Sequence, residues 1–145
     1  MKANLLRIGN LLSVGNYDVK VVEIHHLGVQ VCDLEETQDT WELFSDRIKP
    51  IPLTEEWLLK FGFKKYPNCR DTFRQEYYDS FQLVIDEHTI ISFSIPIGYN
   101  DNIRCNYDKL YRSEEKKQSY RVKHIHQLQN LFFALTGEEL TFKSE

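Results

Sequence analysis

The chain has 145 residues and a net charge of −4 at neutral pH, and 41% of its residues are hydrophobic. Aromatic residues make up 13% of the sequence, which excludes a disordered chain because it supplies enough apolar surface for a core. The acidic balance disfavours a general nucleic-acid binder, which would carry a basic field. No apolar run approaches the roughly 20 residues that span a bilayer. We therefore expect a cytoplasmic protein with no membrane partner.

The first 53 residues have the pattern of short strands separated by turns. Alternating apolar and polar residues predict strands at 11–14, 17–24, 29–34, 40–44 and 47–53. Pro50 and Pro52 confine the last of these strands to the edge of a sheet. Four or five strands within so short a segment predict a small antiparallel β-barrel of the Src-homology-3-like kind over residues 1–53.

A short helix is predicted at residues 54–61. Thr54 is a good N-cap residue, and Glu55 and Glu56 lie in the first turn, where the helix dipole favours negative charge. Gly62 ends the helix, because glycine adopts the left-handed conformation of a C-terminal cap without strain.

The remaining residues predict an antiparallel meander followed by a second helix, so that 54–145 forms an α+β subdomain. The expected strands are about 73–78, closed by a turn at Asp79 and Ser80, then 81–86, 89–95 and 103–107, and the expected helix is about 122–135. Loops are expected at 66–70 and 113–119, and a short terminal strand at 138–142. Phe81, Leu83, Ile91 and Phe93 fall on one face of the meander. We expect the long helix to cover that face.

Three blocks of sequence resemble a family of small Bacteroidetes proteins. The blocks are Leu6 to Asn10, the sequence IKPIPLTEEWLLKFGF from Ile48 to Phe63, and HQLQNLFFALTGEEL from His126 to Leu140. Some members of the family look like cargo of phages or other mobile elements, and the family has no known activity. The resemblance implies a bacterial cytoplasmic setting and no particular chemistry.

The first functional hypothesis is a non-enzymatic accessory or protein-interaction module, binding another protein or a second copy of itself. The candidate contact residues are large aromatic side chains and the polar residues beside one of them on the long helix: Trp41, Tyr78, His126, Asn130 and Phe133. Phe133 lies off the apolar stripe of that helix. An exposed aromatic ring surrounded by amides is typical of a partner contact, although the helix could instead bury the ring.

A nucleic-acid-binding module is the second hypothesis. It would use the basic stretch at 109–123, in which six cations accompany two tyrosines: Lys109, Arg112, Lys116, Lys117, Arg121 and Lys123. Cations and aromatic rings together can hold phosphates and stack on bases. The alternative is a charged surface loop, and the acidic pI disfavours the nucleic-acid hypothesis.

The third hypothesis is a hydrolase with an unrecognised carboxylate site, formed by Glu76, Asp86 and Asp108 on the polar face of the meander. No nucleophile or phosphate-loop motif is present, so no catalytic residue is assigned and a non-enzyme is favoured. The histidine and cysteine spacings match no metal site, and no metal or cofactor is expected.

Overall fold

The computed structural model describes residues 5–26, 28–34, 40–43, 47–72, 75–87, 89–97, 104–111, 114–120 and 122–142. The strands at 40–43, 104–111 and 114–120 are described by their backbone and its pairing. Over these residues the protein contains ten strands and two helices. All the strand pairs are antiparallel, so the α+β part of the predicted fold class is confirmed.

The chain folds as two compact units, and the second interrupts the first. The first unit comprises Met1–Leu53 and His124–Leu140, and the second comprises Thr54–Lys123 and Thr141–Glu145. The predicted division after residue 53 matches the point where the chain leaves the first unit. The long helix was expected in the C-terminal subdomain, but it belongs to the N-terminal unit.

The N-terminal unit contains a five-stranded sheet. Its strands are β1 (Leu11–Val14), β2 (Tyr17–His25), β3 (Gly28–Asp33), β4 (Thr40–Leu43) and β5 (Ile48–Pro50). The order across the sheet is β4-β3-β2-β1-β5. Alternate residues of the strands form the buried core, which consists of Leu6, Leu12, Val19, Val21, Val29, Val31 and Ile48. The predicted strands are therefore confirmed in number and close to their predicted bounds.

The predicted Src-homology-3-like barrel is wrong, because this sheet is open. β4 and β5 are its two edges, and β5 is a three-residue strand that pairs only with β1 among the described strands. Pro50 lies at this edge, as predicted from its missing N–H group. A strand that short and ending in proline cannot supply the ladder of hydrogen bonds that closing a barrel requires.

The helix of the inserted unit is α1 (Glu55–Lys60), close to its predicted bounds. The Thr54 hydroxyl accepts a hydrogen bond from the Trp57 N–H at 3.4 Å, which is the expected N-cap. Gly62 follows the helix with φ of 86°, and the Phe63 N–H donates to the Leu58 carbonyl at 3.0 Å. Trp57, Leu58, Phe61 and Phe63 are buried, so the helix is held by packing as its short length requires.

The inserted unit has a second five-stranded sheet, in the order β10-β9-β8-β7-β6. Its strands are β6 (Lys64–Asp71), β7 (Glu76–Asp86), β8 (Thr89–Pro96), β9 (Arg104–Tyr111) and β10 (Glu114–Tyr120). The predicted meander is confirmed at its centre, where Phe81 is opposite Phe93 and Leu83 is opposite Ile91. The helix was expected to lie against this face, and instead it forms hydrogen bonds within the N-terminal unit.

Three predictions about the inserted unit are wrong. The expected loops at 66–70 and 113–119 are edge strands, β6 and β10. The expected turn at Asp79 and Ser80 lies inside a single strand, β7. Asp79 is compatible with a strand interior because its carboxylate accepts a hydrogen bond from the Asn68 N–H at 3.1 Å and pairs with Lys65 at 2.9 Å.

The remaining helix, α2 (Ile125–Thr136), runs to Gly137, which has φ of 75°. The chain re-enters the N-terminal unit just before this helix. Pro52 and His124 form an antiparallel bridge, and the Ile125 N–H donates to the Ile51 carbonyl at 3.0 Å. Residues 138–142 do not form the predicted terminal strand. In the described part of the chain, neither helix has the length and apolar composition needed to cross a membrane.

Candidate functional site

Two amide side chains of α2 form hydrogen bonds with the start of β1 and the segment that precedes it. The Gln129 side chain accepts a hydrogen bond from the Leu11 N–H at 2.8 Å and donates to the Gly9 carbonyl at 3.0 Å. The Asn130 side chain accepts from the Asn10 side chain and donates to the Leu5 carbonyl, both at 3.0 Å. Gln129 and Asn10 are buried. These amides therefore satisfy backbone groups inside the unit.

Phe133, the aromatic candidate for a partner contact, is half-buried under an arginine. The Arg7 guanidinium lies 3.4 Å from the centre of the Phe133 ring, and its Nη2 pairs with Glu139 Oε1 at 2.8 Å. A guanidinium stacked on an aromatic face is favourable and covers that face. Asn130 and Phe133 thus have intramolecular partners, and the features that suggested a partner contact hold the first unit together.

His126, also a candidate contact residue, is 3% exposed and lies in the first turn of α2. Its ring stacks on that of His124 with centroids 5.7 Å apart. Burial, and secondarily the charge of His124, lower the pKa of His126 to about 4. Its Nδ1 atom has no hydrogen-bond partner among the described residues. His126 is therefore a neutral side chain of the interior and is not presented to a partner.

Two of the three carboxylates of the hydrolase hypothesis are too far apart to act together. Glu76 and Asp86 are both exposed and occupy opposite ends of β7. A strand of that length separates its ends by about 30 Å, far beyond the reach of paired acid–base catalysis. Asp108 is opposite Ile90 in the backbone register of β9. No group of three or more metal-ligating side chains occurs in the described part of the chain.

The basic stretch at 109–123 includes a β-hairpin and is not a single loop. Lys109 in β9 is opposite Lys116 in β10, and Lys117 is opposite Asp108. The cations of this stretch are therefore divided between two paired strands. Arg112 and Arg121 lie outside the described residues, and Lys123 is exposed just before α2.

The remaining aromatic candidates lie in the two sheets. Trp41 is in β4, opposite Val31 in the register. Tyr78 is half-buried in β7, opposite Pro96. Its neighbour Tyr77, which the sequence analysis did not select, is the more exposed of the two tyrosines.

A row of side-chain pairs in the inserted unit, apolar except for Asp79, continues beyond the part of the sheet that is buried. Phe81 and Phe93 are fully buried, and the Phe63 ring contacts Phe93 at 5.5 Å between centroids. Asp79 and Ile95 form the next pair of the row and are half-buried. Tyr77 and Ile97 come last, joined by the hydrogen bond from the Ile97 N–H to the Tyr77 carbonyl at 3.0 Å. We call Tyr77 and Ile97 the exposed end of the row.

The residues at the exposed end have the composition of a protein contact. Tyr77 is 54% exposed and Ile97 is 50% exposed. Arg70 of β6 is directly opposite Tyr77 and is also exposed. Single exposed apolar residues are ordinary, but two adjacent ones at the end of a row that begins in the core are less so. Tyrosine and arginine are also enriched where the binding energy of an interface is concentrated.

The opposite face of this sheet is polar at its centre. Two rows cross β6, β7 and β8 in register: Lys64, Gln82 and Ser92 form the first, and Tyr66, Ser80 and Ser94 form the second. On β9, Asn106 and Arg104 are the register partners of Ser92 and Ser94. We call these two rows the polar rows. They contain no carboxylate, although the whole chain is acidic.

Comparison with protein-family models, with curated proteins and with solved structures gives no match for this chain.

Proposed function

We propose that this protein is a non-enzymatic accessory module that binds another protein in a bacterial or mobile-element system. The observation that carries the proposal is the exposed end of the apolar row, Tyr77 and Ile97. Two large side chains are exposed to water there, in the same row as the buried pair Phe81 and Phe93 and separated from it by the half-buried pair Asp79 and Ile95. Covering the two exposed side chains removes apolar surface from water, which favours association by roughly 25 cal/mol for each Å² buried.

The chemistry of the site supports binding better than catalysis. Glu76 and Asp86, the two candidate carboxylates of β7, are at opposite ends of the strand. Asp79, which lies between them, pairs with Lys65, and hydrogen bonds from Lys65 and the Asn68 N–H lower its pKa. A carboxylate held in its charged form by a cation is a poor proton donor at neutral pH.

The proposal is tested by placing a photo-crosslinking phenylalanine analogue at position 77 or 97 and irradiating living bacteria that express the protein. Val84 provides the matched control, because it is an exposed apolar residue of the same strand on the other face of the sheet. We expect a discrete adduct from positions 77 and 97 and none from position 84. The mass of the adduct distinguishes a foreign partner from a second copy.

Adducts of equal yield at positions 77 and 84 would contradict the proposal, and so would the absence of any adduct at positions 77 and 97. Replacing Tyr77 and Ile97 together by serine gives a second measurement. Both side chains are half exposed, so the folded unit should persist while capture of the cross-linked partner is lost. The corresponding Val84→Ser variant should capture the partner as the unchanged protein does.

A further inference from the structure

Arg70 lies beside the exposed end of the row as a cation that is not neutralised. It is the direct register partner of Tyr77, so the two side chains lie on the same face of the sheet. Its partner among the described residues is a neutral amide, because its Nη2 atom donates to Gln75 Oε1 at 2.9 Å. Asp71 and Glu76 occupy the next register position and therefore point to the opposite face.

The turn between β6 and β7 holds the guanidinium of Arg70 in place. Gln75 has φ of 57°, a left-handed conformation that is uncommon for a residue with a side chain. Its amide nitrogen donates to the Thr72 carbonyl at 3.5 Å, while its amide oxygen accepts from Arg70. An arginine that is already oriented in the free protein loses less conformational entropy when it binds, which favours affinity.

The size of the apolar surface and the charge beside it favour a short segment of another protein over a second copy. Tyr77 and Ile97 are each about half exposed, which amounts to roughly 200 Å² of surface. Each partner in a stable dimer buries roughly 800 Å². A two-fold contact would also set this surface against itself, and it offers Arg70 no free carboxylate, because Asp79 pairs with Lys65.

We propose that the exposed end of the row and Arg70 together bind a short segment of the partner in which an aspartate or glutamate lies next to a large apolar side chain. This inference rests on the proposed function and specifies the kind of partner. The apolar side chain covers Tyr77 and Ile97. The carboxylate accepts hydrogen bonds from Arg70, which has five N–H groups and uses one of them for Gln75.

The test combines the photo-crosslinking residue at position 97 with changes of charge at position 70. Arg70→Glu should lower the yield of the adduct about tenfold, because it sets like charges against each other across the contact. Arg70→Lys should lower the yield less, because the charge remains and only the planar fork is lost. Lys64→Glu is the matched control: Lys64 is exposed in the same edge strand but belongs to the polar rows on the other face, so the yield should not change.

An exchange of charges then tests the chemistry of the partner, whose point of attachment is located by mass spectrometry of the adduct. Replacing the partner's aspartate or glutamate beside that point by lysine should weaken capture by the unchanged protein and restore capture by Arg70→Glu. Restoration also shows that Arg70→Glu is folded. An adduct that Arg70→Glu does not weaken, a partner segment without a carboxylate there, a failed restoration, or an adduct with the mass of a dimer would overturn this inference alone. The absence of any adduct at positions 77 and 97 would overturn the proposed function with it.

Discussion

Acid should weaken the N-terminal unit through one buried side chain, His126. Burial favours the uncharged imidazole, and the charge of the neighbouring His124 further opposes protonation. The pKa of His126 is lowered to about 4 in the folded protein, whereas a free histidine titrates near 6.5. The unfolded chain therefore binds this proton more readily than the folded one.

The sign and size of the effect follow from linkage. Because the folded pKa is depressed, the stabilisation is complete above pH 6.5 and is lost as the pH falls from 6.5 towards 4. The whole difference is worth about 3 kcal/mol of unfolding free energy. Between pH 7.5 and pH 5.0 the free energy of unfolding should fall by about 2 kcal/mol because of His126 alone.

The measurement is urea unfolding at pH 7.5 and pH 5.0, followed by circular dichroism at 222 nm, where α2 contributes most of the described helix. The quantity compared is the loss of unfolding free energy between the two pH values within each variant. His126→Gln should reduce that loss by about 2 kcal/mol. His26→Gln, an exposed histidine outside the strands, serves as the matched control and should show the unchanged loss.

Carboxylates also titrate in this range. They are common to the unchanged protein and to the His126→Gln and His26→Gln variants, so their contribution cancels in the comparison. The reasoning would be refuted if His126→Gln kept the full acid sensitivity of the unchanged protein. It would also be refuted if the exposed His26 accounted for as much of the loss as His126.

Three further predictions concern how the N-terminal unit is held together. Gln129→Ala should lower the free energy of unfolding by about 2 kcal/mol, because the Leu11 N–H and the Gly9 carbonyl lose their buried partner. Urea unfolding measures this loss of stability. A loss below about 0.5 kcal/mol would contradict the role of the amide. Gly137→Ala should cost only about 1 kcal/mol, since its φ of 75° disfavours an L-residue but, apart from the chain neighbours, no described heavy atom lies within 4 Å of an added Cβ. A larger loss in the same assay would contradict this reading of the open space. The N-terminal unit should fold without residues 54–123 if Leu53 is joined to His124 through a few glycines, because Pro52 and His124 already pair across the junction. The shortened protein should retain α2 and unfold cooperatively on heating, as followed by circular dichroism. Non-cooperative thermal unfolding would show that the unit needs its insertion.

Much of the inserted sheet could be predicted, and the exception shows why Tyr77, the proposed contact residue, was missed. The pairs Phe81 with Phe93 and Leu83 with Ile91 follow from period-2 alternation. Counting back by twos from Phe81 leads to Tyr77, which would have marked the exposed end of the row. The turn expected at Asp79 and Ser80 interrupted that count, and Tyr78 was selected instead. The Lys65 ion pair that keeps Asp79 in the strand was not visible in the sequence.

The edge strands were missed for a different reason. β6 contains Pro67 and Asn68, and β10 begins with four charged residues, so neither has the alternating apolar pattern of a central strand. An edge strand needs a partner on one side only, and charge there is common because it discourages aggregation. A bulge between Tyr66 and Cys69 accommodates the proline and the left-handed Asn68, whose φ is 56°.

By itself the sequence determined the local elements: the alternating valines of the first sheet, the Thr54 cap and Gly62 stop of α1, and the amphipathic stripe of α2. These elements depend on residues that are close together in the chain, so their spacing can be read from the sequence. Only the tertiary structure decided which surface α2 joins. An apolar stripe needs an apolar cover but does not specify which one. The choice is made by the amides of Gln129 and Asn130, which bond to backbone groups at and before the start of β1, more than a hundred residues away along the chain.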